Sequence, residues 1–302
     1  MNNEIMTVTS FGSLNIDHVY RVEHISVPGE SLVSIDLNHY CGGKGLNQSI
    51  ALSRCGVKVR HAGCIGSGGG ILKDMLEKNN VDCSKLLEID GENGHAIIQV
   101  DKNGQNSIIT YGGSNRKLTE AYVDDIMTLA KPGELLLMQN ETNLGGYIAK
   151  KAKQKGMTVA LNPSPVDDLL LKEFPFEYID IFIINEIEAA ALTGYDDPDD
   201  AADDMLKRFP LARIVHTLGE KGVLYRDADQ RYTHKSYEVP VVDTTAAGDT
   251  FTGFFLGSFA SGKSIPECLE TGSIAAALAV SAKGAADSIP SIDDVLTKRG
   301  TI

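Results

Sequence analysis

The stretch DTTAAGDTF, residues 243–251, joins a turn of small residues to the start of a helix. The VPVVD run that leads into it predicts a strand, so the expected order is strand, tight turn and helix. The small residues Ala246, Ala247 and Gly248 let backbone amides crowd together at the positive end of the helix, where they would stabilise developing negative charge. Asp249 is placed to accept a proton from an alcohol while those amides hold a transferring phosphoryl group. The spacing alone favours a helix N-cap at Asp249 equally well.

A second stretch, GSFASGKS at residues 257–264, matches the phosphate-binding pattern G-x-x-x-x-G-K-S letter for letter. A P-loop must follow a strand, so that loop and helix amides converge on the phosphates. The preceding residues, TFTGFFLGSFASG, instead have the pattern of a helix, which makes Gly262 a C-cap glycine. Ser264 and Glu267 predict a capping box for the next helix. We therefore interpret the P-loop match as a coincidence.

Short apolar runs alternate with helical patterns along the chain, as in MTVTSFGSL, ELLLMQNE, MTVALNPSP and YIDIFIIN. Continuous apolar strands separated by helices predict a parallel sheet that is covered on both faces. Two segments, about 18–41 and 95–112, alternate with a two-residue period instead, and the second contains the hairpin signal Asn103-Gly104. We expect one α/β domain over residues 1–302, with these segments forming a small β-sheet lid.

Polar residues are concentrated where the predicted strands end. In an open parallel sheet, ligands bind at the carboxyl ends of the strands. A single polar residue at such a position is usually a cap or a turn former, but a series of them is better explained by one shared site. The series is Asn15 and Asp17, Glu141, Asn162, Asn185 and Glu188, Thr217 and Gly219, and Asp243.

The composition limits the classes of partner. The 302 residues carry a formal charge of -13 and contain no basic run that could follow a nucleic-acid backbone, so a nucleic-acid partner is not expected. No secretory leader and no apolar run of membrane-spanning length are visible, which predicts a cytoplasmic protein without a membrane partner. The five cysteines form no C-x-x-C pair and are expected to be reduced thiols.

With these motifs in place, the sequence resembles the ribokinase-like sugar kinases, the phosphofructokinase-B family. DTTAAGDTF is similar to the C-terminal signature of the family, and GGKGLNQSIALSRCG is similar to its N-terminal signature. NPSP, NEIEAAALTG and HTLGEKG lie between them in the family order, and GSLNID, GGKGLNQ and ALNPSP resemble the ribokinase branch. The resemblance covers essentially the whole chain. It implies a three-layer α/β sandwich, with a mostly parallel central sheet flanked by helices and a small β-sheet lid.

The resemblance also implies a role for each matching residue. Asp249 would be the general base, beside an anion hole formed by the amides of Ala246, Ala247 and Gly248. The residues that would bind the sugar are Asn15, Asp17, Gly43, Lys44, Asn47, Glu141 and Asp249. Those that would border the nucleotide are Asn185, Thr217, Gly219, Gly222, Gly248 and Ser273. Glu188 would act on magnesium through water, and an activating potassium ion would be bound by Asp243, Thr245, Ala279, Ala282, Gly284 and Ser288.

The function implied by the resemblance is ATP-dependent phosphoryl transfer to a primary hydroxyl of a pentose, with D-ribose giving D-ribose 5-phosphate as the first expectation. The expected cofactors are ATP, Mg²⁺ and activating K⁺, and the exposed lid strands predict a homodimer formed through the lid. The alternatives are a kinase for another small sugar or nucleoside, such as 2-deoxyribose, and a catalytically silent sugar-binding protein. Two departures from the family pattern, SGGG at residues 67–70 and His95, bear on which sugar is accepted.

Overall fold

The computed structural model describes residues 6–300. The strands are β1 Thr7–Phe11, β2 Asn15–Arg21, β3 Asp36–Gly42, β4 Lys58–Ala62, β5 Cys64–Ser67, β6 Leu87–Glu92, β7 Gly94–Val100, β8 Asn106–Tyr111, β9 Leu135–Gln139, β10 Thr158–Asn162, β11 Ile181–Asn185, β12 Arg213–Thr217, β13 Val223–Arg226 and β14 Arg231–His234. The α-helices are α1 Lys44–Arg54, α2 Gly70–Lys78, α3 Glu120–Thr128, α4 Gly145–Gln154, α5 Asp168–Glu173, α6 Glu186–Thr193, α7 Pro198–Arg208, α8 Ala247–Ala260, α9 Ile265–Val280 and α10 Ile292–Lys298. None of the described helices is both long enough and apolar enough to cross a membrane.

The central sheet has eight strands in the order β14-β13-β12-β11-β10-β9-β1-β4. The six strands from β4 to β12 pair in parallel, and β13 and β14 are added antiparallel at one edge. The inner strands of this sheet are buried; in β9, for example, every residue is buried. One core cluster packs α1, α8 and α9 on one face, and a second packs α3, α4, α6 and α7 on the other. The expected three-layer arrangement is therefore confirmed, and the apolar strands are explained by burial on both faces.

The small sheet has four strands in the order β3-β2-β7-β8, and it stands apart from the central sheet. Its hairpin turns at Asn103-Gly104 as the sequence predicts, with Gly104 at a φ of 79°. One expectation is corrected here. Asn15 and Asp17 belong to β2, the first strand of this sheet, and not to the tip of β1. The backbone leaves the central sheet at Gly12, whose N–H bonds Ala62 O, before either side chain is placed.

The GSFASGKS stretch has the structure of a helix end followed by a helix start. Helix α8 ends at Ala260, and Gly262 has a φ of 75°. The N–H of Lys263 bonds Ser258 O, as in a Schellman motif. Ser264 and Glu267 form the predicted capping box of α9. The interpretation of the P-loop match as a coincidence is confirmed.

The segment before Asp243 is where the strand prediction is wrong. Residues 239–243 form no strand, and the side chains of Val241 and Val242 are 63% and 59% exposed. The N–H groups of Val242 and Asp243 both bond Val280 O, at the end of α9. Pro240 has no N–H to offer a neighbouring strand, and the chain here follows the end of a helix rather than a sheet edge. The apolar run KVRHAGCIG, residues 58–66, has the pattern of a single strand, but it is divided into β4 and β5 around Gly63.

Candidate active site

The carboxyl ends of the parallel strands bring the predicted polar residues to one edge of the central sheet. Asn162 at the end of β10 pairs in register with Gln139 at the end of β9. Asn185 at the end of β11 pairs with Thr217 at the end of β12. The N-termini of α1 and α8 lie at the same edge, because Asn47 of α1 bonds Asp249 of α8. Residues from four parallel strands and from the first turns of two helices thus lie at one edge of the sheet, where one shared site remains the prediction.

The turn before α8 is strained and lined with small residues. Ala246 has a φ of 60°, a left-handed conformation that costs a non-glycine residue about 1 kcal/mol. This turn lets α8 begin at Ala247, so that its first amides face a cavity of about 170 Å³. Ala246, Ala247, Gly248 and Asp249 all line that cavity, together with Lys44. A helix N-terminus of this kind favours a bound anion.

Asp249 is buried and is bound through both carboxylate oxygens. Asn47 Nδ2 donates to Oδ2 at 3.0 Å, and Gln48 Nε2 donates to Oδ1 at 2.8 Å. The other amide atom of Asn47, Oδ1, is buried and has no hydrogen-bond partner among the described residues. A buried acceptor without a partner is unusual in proteins, which makes Asn47 Oδ1 a candidate acceptor for a hydroxyl group of a ligand.

Gln48 is the residue of this site that the sequence reasoning missed. The family motif GGKGLNQSIALSRCG contains all three residues, but the resemblance implies a role only for Lys44 and Asn47. The signal was present, because Asn47, Gln48 and Ser49 are three consecutive polar residues that precede the apolar residues of a helix. All three are buried. A buried polar run in a helix has to find partners, and Gln48 finds one in Asp249.

Lys44 lies among three carboxylates. Burial lowers the pKa of Lys44, but the charges of Asp249, Glu141 and Glu188 outweigh it and raise that pKa overall. Burial raises the pKa of Glu141, and Lys44 opposes the shift. The carboxylate of Glu141 accepts hydrogen bonds from Ser13 Oγ and from the backbone N–H of Lys44. The site therefore holds a charged ammonium group at the edge of the cavity beside α8.

The lid contributes Asn15 and Asp17 to the same region. Asn15 Oδ1 accepts a hydrogen bond from Asn115 Nδ2 at 2.8 Å, which sets the orientation of its amide. Burial, and then the charge of Glu141, raise the pKa of Asp17 to about 7. A Cβ atom at Gly42 would overlap the Asp17 carboxylate, so the glycine makes room for it. Asp17 and Glu141 are thus close enough to interact electrostatically.

The six residues predicted to border the nucleotide line one cavity of about 1000 Å³: Asn185, Thr217, Gly219, Gly222, Gly248 and Ser273. Its other walls include the apolar side chains of Val239, Val241 and Val280. The cavity shares Asn185, Thr217 and Gly248 with the smaller cavity beside Asp249. A long ligand in the larger cavity would therefore reach towards the Asp249 carboxylate.

Glu188 lines the smaller cavity, beside Asn185, which lines both. Its carboxylate accepts a hydrogen bond from the backbone N–H of Asn185 at 3.0 Å, as the capping box of α6. Asn162 Nδ2 approaches the same oxygen at 3.4 Å. Burial raises the pKa of Glu188, and the Asn185 bond opposes the shift. A carboxylate oxygen beside a phosphate site suits Mg²⁺, which commonly uses one or two carboxylates and keeps several waters.

The residues matched to the potassium site come from two loops that meet at Asp243. The carboxylate of Asp243 accepts hydrogen bonds from Thr245 N at 2.9 Å and from Gly284 N at 3.1 Å. Burial raises the pKa of Asp243, but the bonds from Thr245 and Gly284 outweigh it, so that pKa is lowered overall. Ala279 lies in the last turn of α9 and Ala282 in the loop that follows it, and Ala282 N bonds Ala279 O. Ser288 follows in the same loop region and is buried. Its hydroxyl already donates a hydrogen bond to Ala285 O, which leaves only its acceptor capacity for a cation.

No group of three or more His, Cys, Asp or Glu side chains within residues 6–300 is arranged to hold a metal ion. A cation between these two loops would have to be bound mainly by backbone carbonyl oxygens around the single Asp243 carboxylate. Such a set of oxygen donors, with one charge, suits a monovalent cation better than a transition metal. The residues are therefore compatible with potassium.

His95 lies on the face of the lid opposite to Asp17. In the pairing of β2 with β7, Asp17 is opposite Ala96 and His95 is opposite Ile16, and neighbouring strand residues point to opposite faces. The His95 ring contacts Tyr111, with ring centroids 5.1 Å apart, and Nδ1 bonds Asn93 O. The position supports a structural role over a contact with substrate. The SGGG stretch leads into α2, which begins at Gly70.

Comparison with known proteins gives a consistent assignment. A family model described as pfkB family carbohydrate kinase matches residues 6–292. The ribokinase of Haemophilus influenzae is 37% identical over 299 residues, which cover 96% of this chain and 97% of that protein. The deoxyribokinase of Salmonella typhimurium is 30% identical, covering 95% and 97%.

Two solved structures are similar over nearly their whole length. The ribokinase of Thermotoga maritima has 32% identity and a TM-score of 0.86, covering 97% of this chain and 98% of that one. The ribokinase of Arabidopsis thaliana, complexed with ribose and ATP, has 27% identity and a TM-score of 0.86, covering 99% and 100%. By the match of the family model and of these relatives, the chain belongs to the pfkB family of carbohydrate kinases.

Proposed function

We infer that the protein is an ATP-dependent sugar kinase that transfers the γ-phosphoryl group of ATP to the primary hydroxyl of a pentose, D-ribose first, giving D-ribose 5-phosphate. The observation that carries this is Asp249, a buried carboxylate at the N-terminus of α8, in the cavity that joins the nucleotide pocket. Curated ribokinases are similar over the full chain. The activity is that of a phosphotransferase with an alcohol group as acceptor.

In this proposal, Asp249 accepts the proton of the sugar hydroxyl as that oxygen attacks the γ-phosphorus. The amides of Ala246, Ala247 and Gly248 and the helix N-terminus stabilise the charge that spreads over the phosphoryl oxygens. Lys44, which the carboxylates keep charged, adds a cation at the same place. Phosphoryl transfer needs little covalent chemistry from the protein, so positioning and charge stabilisation supply most of the rate.

The sugar is bound between the lid and the first turn of α1. Asn15 and Asp17 reach from the lid, Asn47 offers its unpartnered Oδ1, and Glu141 lies between them. Gly43, at a φ of 95°, lets the start of α1 pass close to Ser13 O, where a side chain would clash. A set of fixed donors and acceptors of this kind suits a polyol.

ATP occupies the cavity of about 1000 Å³, with its phosphates at Asn185, Thr217 and Gly248. Ser273 and the glycines Gly219 and Gly222 border the nucleotide further out. Magnesium would be held near Glu188 and Asn185 through water. When bound, it offsets the charge of the β- and γ-phosphates. Potassium at the Asp243 loop would hold Thr245 and the turn before α8 in place, close to the anion-binding amides.

A panel of acceptors tests the function. We expect ADP release with MgATP and D-ribose, and a loss of at least about tenfold when K⁺ is replaced by Na⁺, because the Asp243 loop precedes the catalytic turn directly. Turnover with 2-deoxyribose or with a nucleoside, but not with D-ribose, would support the same mechanism with a different substrate. The similarity to a deoxyribokinase favours testing 2-deoxyribose. Sugar binding without any turnover would establish a silent binding protein. Equal rates in K⁺ and Na⁺ would contradict the potassium proposal.

The affinity for the sugar should depend on pH through Asp17. An ionised carboxylate accepts bonds from two vicinal hydroxyls, and protonation removes part of that capacity. Since the raised pKa of about 7 keeps Asp17 largely protonated in more acidic solution, we expect the KM for the sugar to fall as the pH rises through 7. Asp17→Asn should bind more weakly and lose this dependence. A variant that keeps the slope would show that another group is responsible.

We further propose that two copies associate through the lid. The lid strands leave large apolar side chains exposed, among them Ile109, which is 66% exposed. Burial of this surface against a second copy would remove it from water. Light scattering should give twice the chain mass of 32.4 kDa, and Ile109→Lys should give a single chain mass. A wild-type protein of one chain mass at micromolar concentration would contradict the proposal.

A further inference from the structure

The carboxylate of Asp249 is held by two successive residues of α1, which divide its oxygens between them. Asn47 bonds Oδ2 at 3.0 Å and Gln48 bonds Oδ1 at 2.8 Å. Asn47 Oδ1 is buried and has no hydrogen-bond partner among the described residues, so Asn47 has an acceptor left over after it binds Asp249. Gln48 joins the other carboxylate oxygen, Oδ1, to the ends of the central strands.

Gln48 is itself held by residues at the ends of two strands. Gln139 Nε2, at the end of β9, donates to Gln48 Oε1 at 2.6 Å. Gln48 Nε2 also donates to Asn162 Oδ1, at the end of β10, at 3.1 Å. The Asp249 carboxylate can only accept hydrogen bonds, so the Gln48 atom that faces it is the donor Nε2. Gln48 Oε1 then points to Gln139, whose Nε2 supplies the donor that this oxygen needs.

The buried amides of Gln48 and Gln139 do more than fill space between α1 and the sheet. Gln48 and Gln139 are both almost fully buried, at 0% and 2% exposure, where polar side chains carry a desolvation cost. An apolar side chain of similar length would fill the same space without that cost. An amide also differs from histidine or lysine, because it donates a hydrogen bond without giving up its proton. It can hold a carboxylate without protonating it.

We propose that Gln48, held by Gln139 and Asn162, is a positioning residue that fixes the Asp249 carboxylate in the orientation in which it meets the sugar hydroxyl. The inference rests on the proposed function, in which Asp249 accepts the proton. It adds that strand ends β9 and β10 set the direction of this base through a chain of neutral amides. Gln48 acts on the reaction through Asp249 and touches neither sugar nor nucleotide.

The test is a comparison of kcat and KM in variants of Gln48. Gln48→Met keeps the length of the side chain and removes its donors. We expect kcat to fall about 10- to 100-fold, since small displacements of a reacting group cost that much, with the KM values for sugar and ATP changed less than about threefold. Gln154→Met, an exposed position on α4, is the matched control and should retain the wild-type kcat. A Gln48→Met enzyme with kcat within about threefold of the wild type would overturn the proposal.

Gln48→Glu gives a readout that packing alone would not move. It places a second carboxylate against Asp249, and two adjacent carboxylates share a proton at higher pH than either would alone. We expect the acidic limb of the kcat profile to move to higher pH by about one unit or more. An unmoved limb would contradict contact between Gln48 and the base during turnover.

Two further variants keep the test decisive. If Gln48→Met does not fold, Gln139→Met should still lower kcat in the same direction, because Gln48 Oε1 then loses its donor and the amide is held from one side only. An unchanged kcat would overturn the inference. If both single variants fold, the variant that combines Gln48→Met with Gln139→Met should have a kcat no lower than that of Gln48→Met alone, since Gln139 acts through Gln48. Asp249→Asn is measured in parallel. If it is inactive while Gln48→Met is not affected, only this inference fails; if it is active, the proposed base fails with it.

Discussion

Asp249→Asn should lower kcat by about 10³-fold or more while changing the affinity for the sugar only a few fold. General-base catalysis contributes about 10²- to 10⁴-fold, and an amide cannot accept the proton of the attacking hydroxyl. Most of the proposed contacts with the sugar come from Asn15, Asp17 and Asn47, which the substitution leaves in place. The change should therefore separate binding from chemistry.

The variant protein should be slightly less stable, because an amide nitrogen will face a donor of Asn47 or Gln48. One mismatched buried donor costs about 1–3 kcal/mol. Calorimetric titration with D-ribose would give the affinity, and coupled ADP release would give kcat. Asp90→Asn, at an exposed position of β6, is the control for the chemical change. Wild-type turnover in Asp249→Asn would show that another group accepts the proton.

Lys44→Met should have the second largest effect, on activity and on stability together. The proposed role of Lys44 is to stabilise charge in the transition state, and removal of one such group costs about 10²- to 10³-fold in kcat. The substitution also removes the positive charge that opposes the raised pKa values of Glu141 and Glu188. A carboxylate that loses the cation near it is destabilised in the folded state, so the variant should unfold at a lower temperature than the wild type.

The stability loss should grow with pH. Burial already raises the pKa of Glu141 and Glu188, and loss of Lys44 raises each further. A carboxyl group with a higher pKa in the folded state binds more protons than in the unfolded state, so folding weakens as the pH rises through that range. Thermal unfolding of Lys44→Met should therefore show a larger deficit at pH 8 than at pH 5.5. Lys44→Arg, which keeps the charge, should be less destabilised, and a deficit that does not vary with pH would contradict this account.

The sequence was sufficient for those features that depend on neighbouring residues. Alternating apolar strands and helical patterns predicted a covered parallel sheet. Gly262 and the Ser264–Glu267 pair predicted where one helix ends and the next begins. That prediction excluded a P-loop at residues 257–264. The family resemblance added the residues that are predicted to bind the sugar, the nucleotide and the cations. The six predicted nucleotide residues do line one cavity.

Other features depended on which parts of the chain meet in space. The run before Asp243 has the composition of a strand, but it lies against the end of α9 and has no strand beside it. Asn15 and Asp17 look like the tip of β1, and the turn at Gly12 carries them into the lid. In each case the local pattern was correct for an isolated segment and the neighbouring element changed the outcome.

Gln48 shows the division most clearly. From the sequence, Gln48 is only one polar residue of a predicted helix. The helical period places it on α1, but it does not say which residues it contacts. Its partners Gln139, Asn162 and Asp249 are 91, 114 and 201 residues further along the chain. Short-range hydrogen bonding and apolar periodicity determined the elements. The orientation of the Asp249 carboxylate was decided by the packing of α1 against α8 and against the ends of β9 and β10, which brings distant amides within bonding distance.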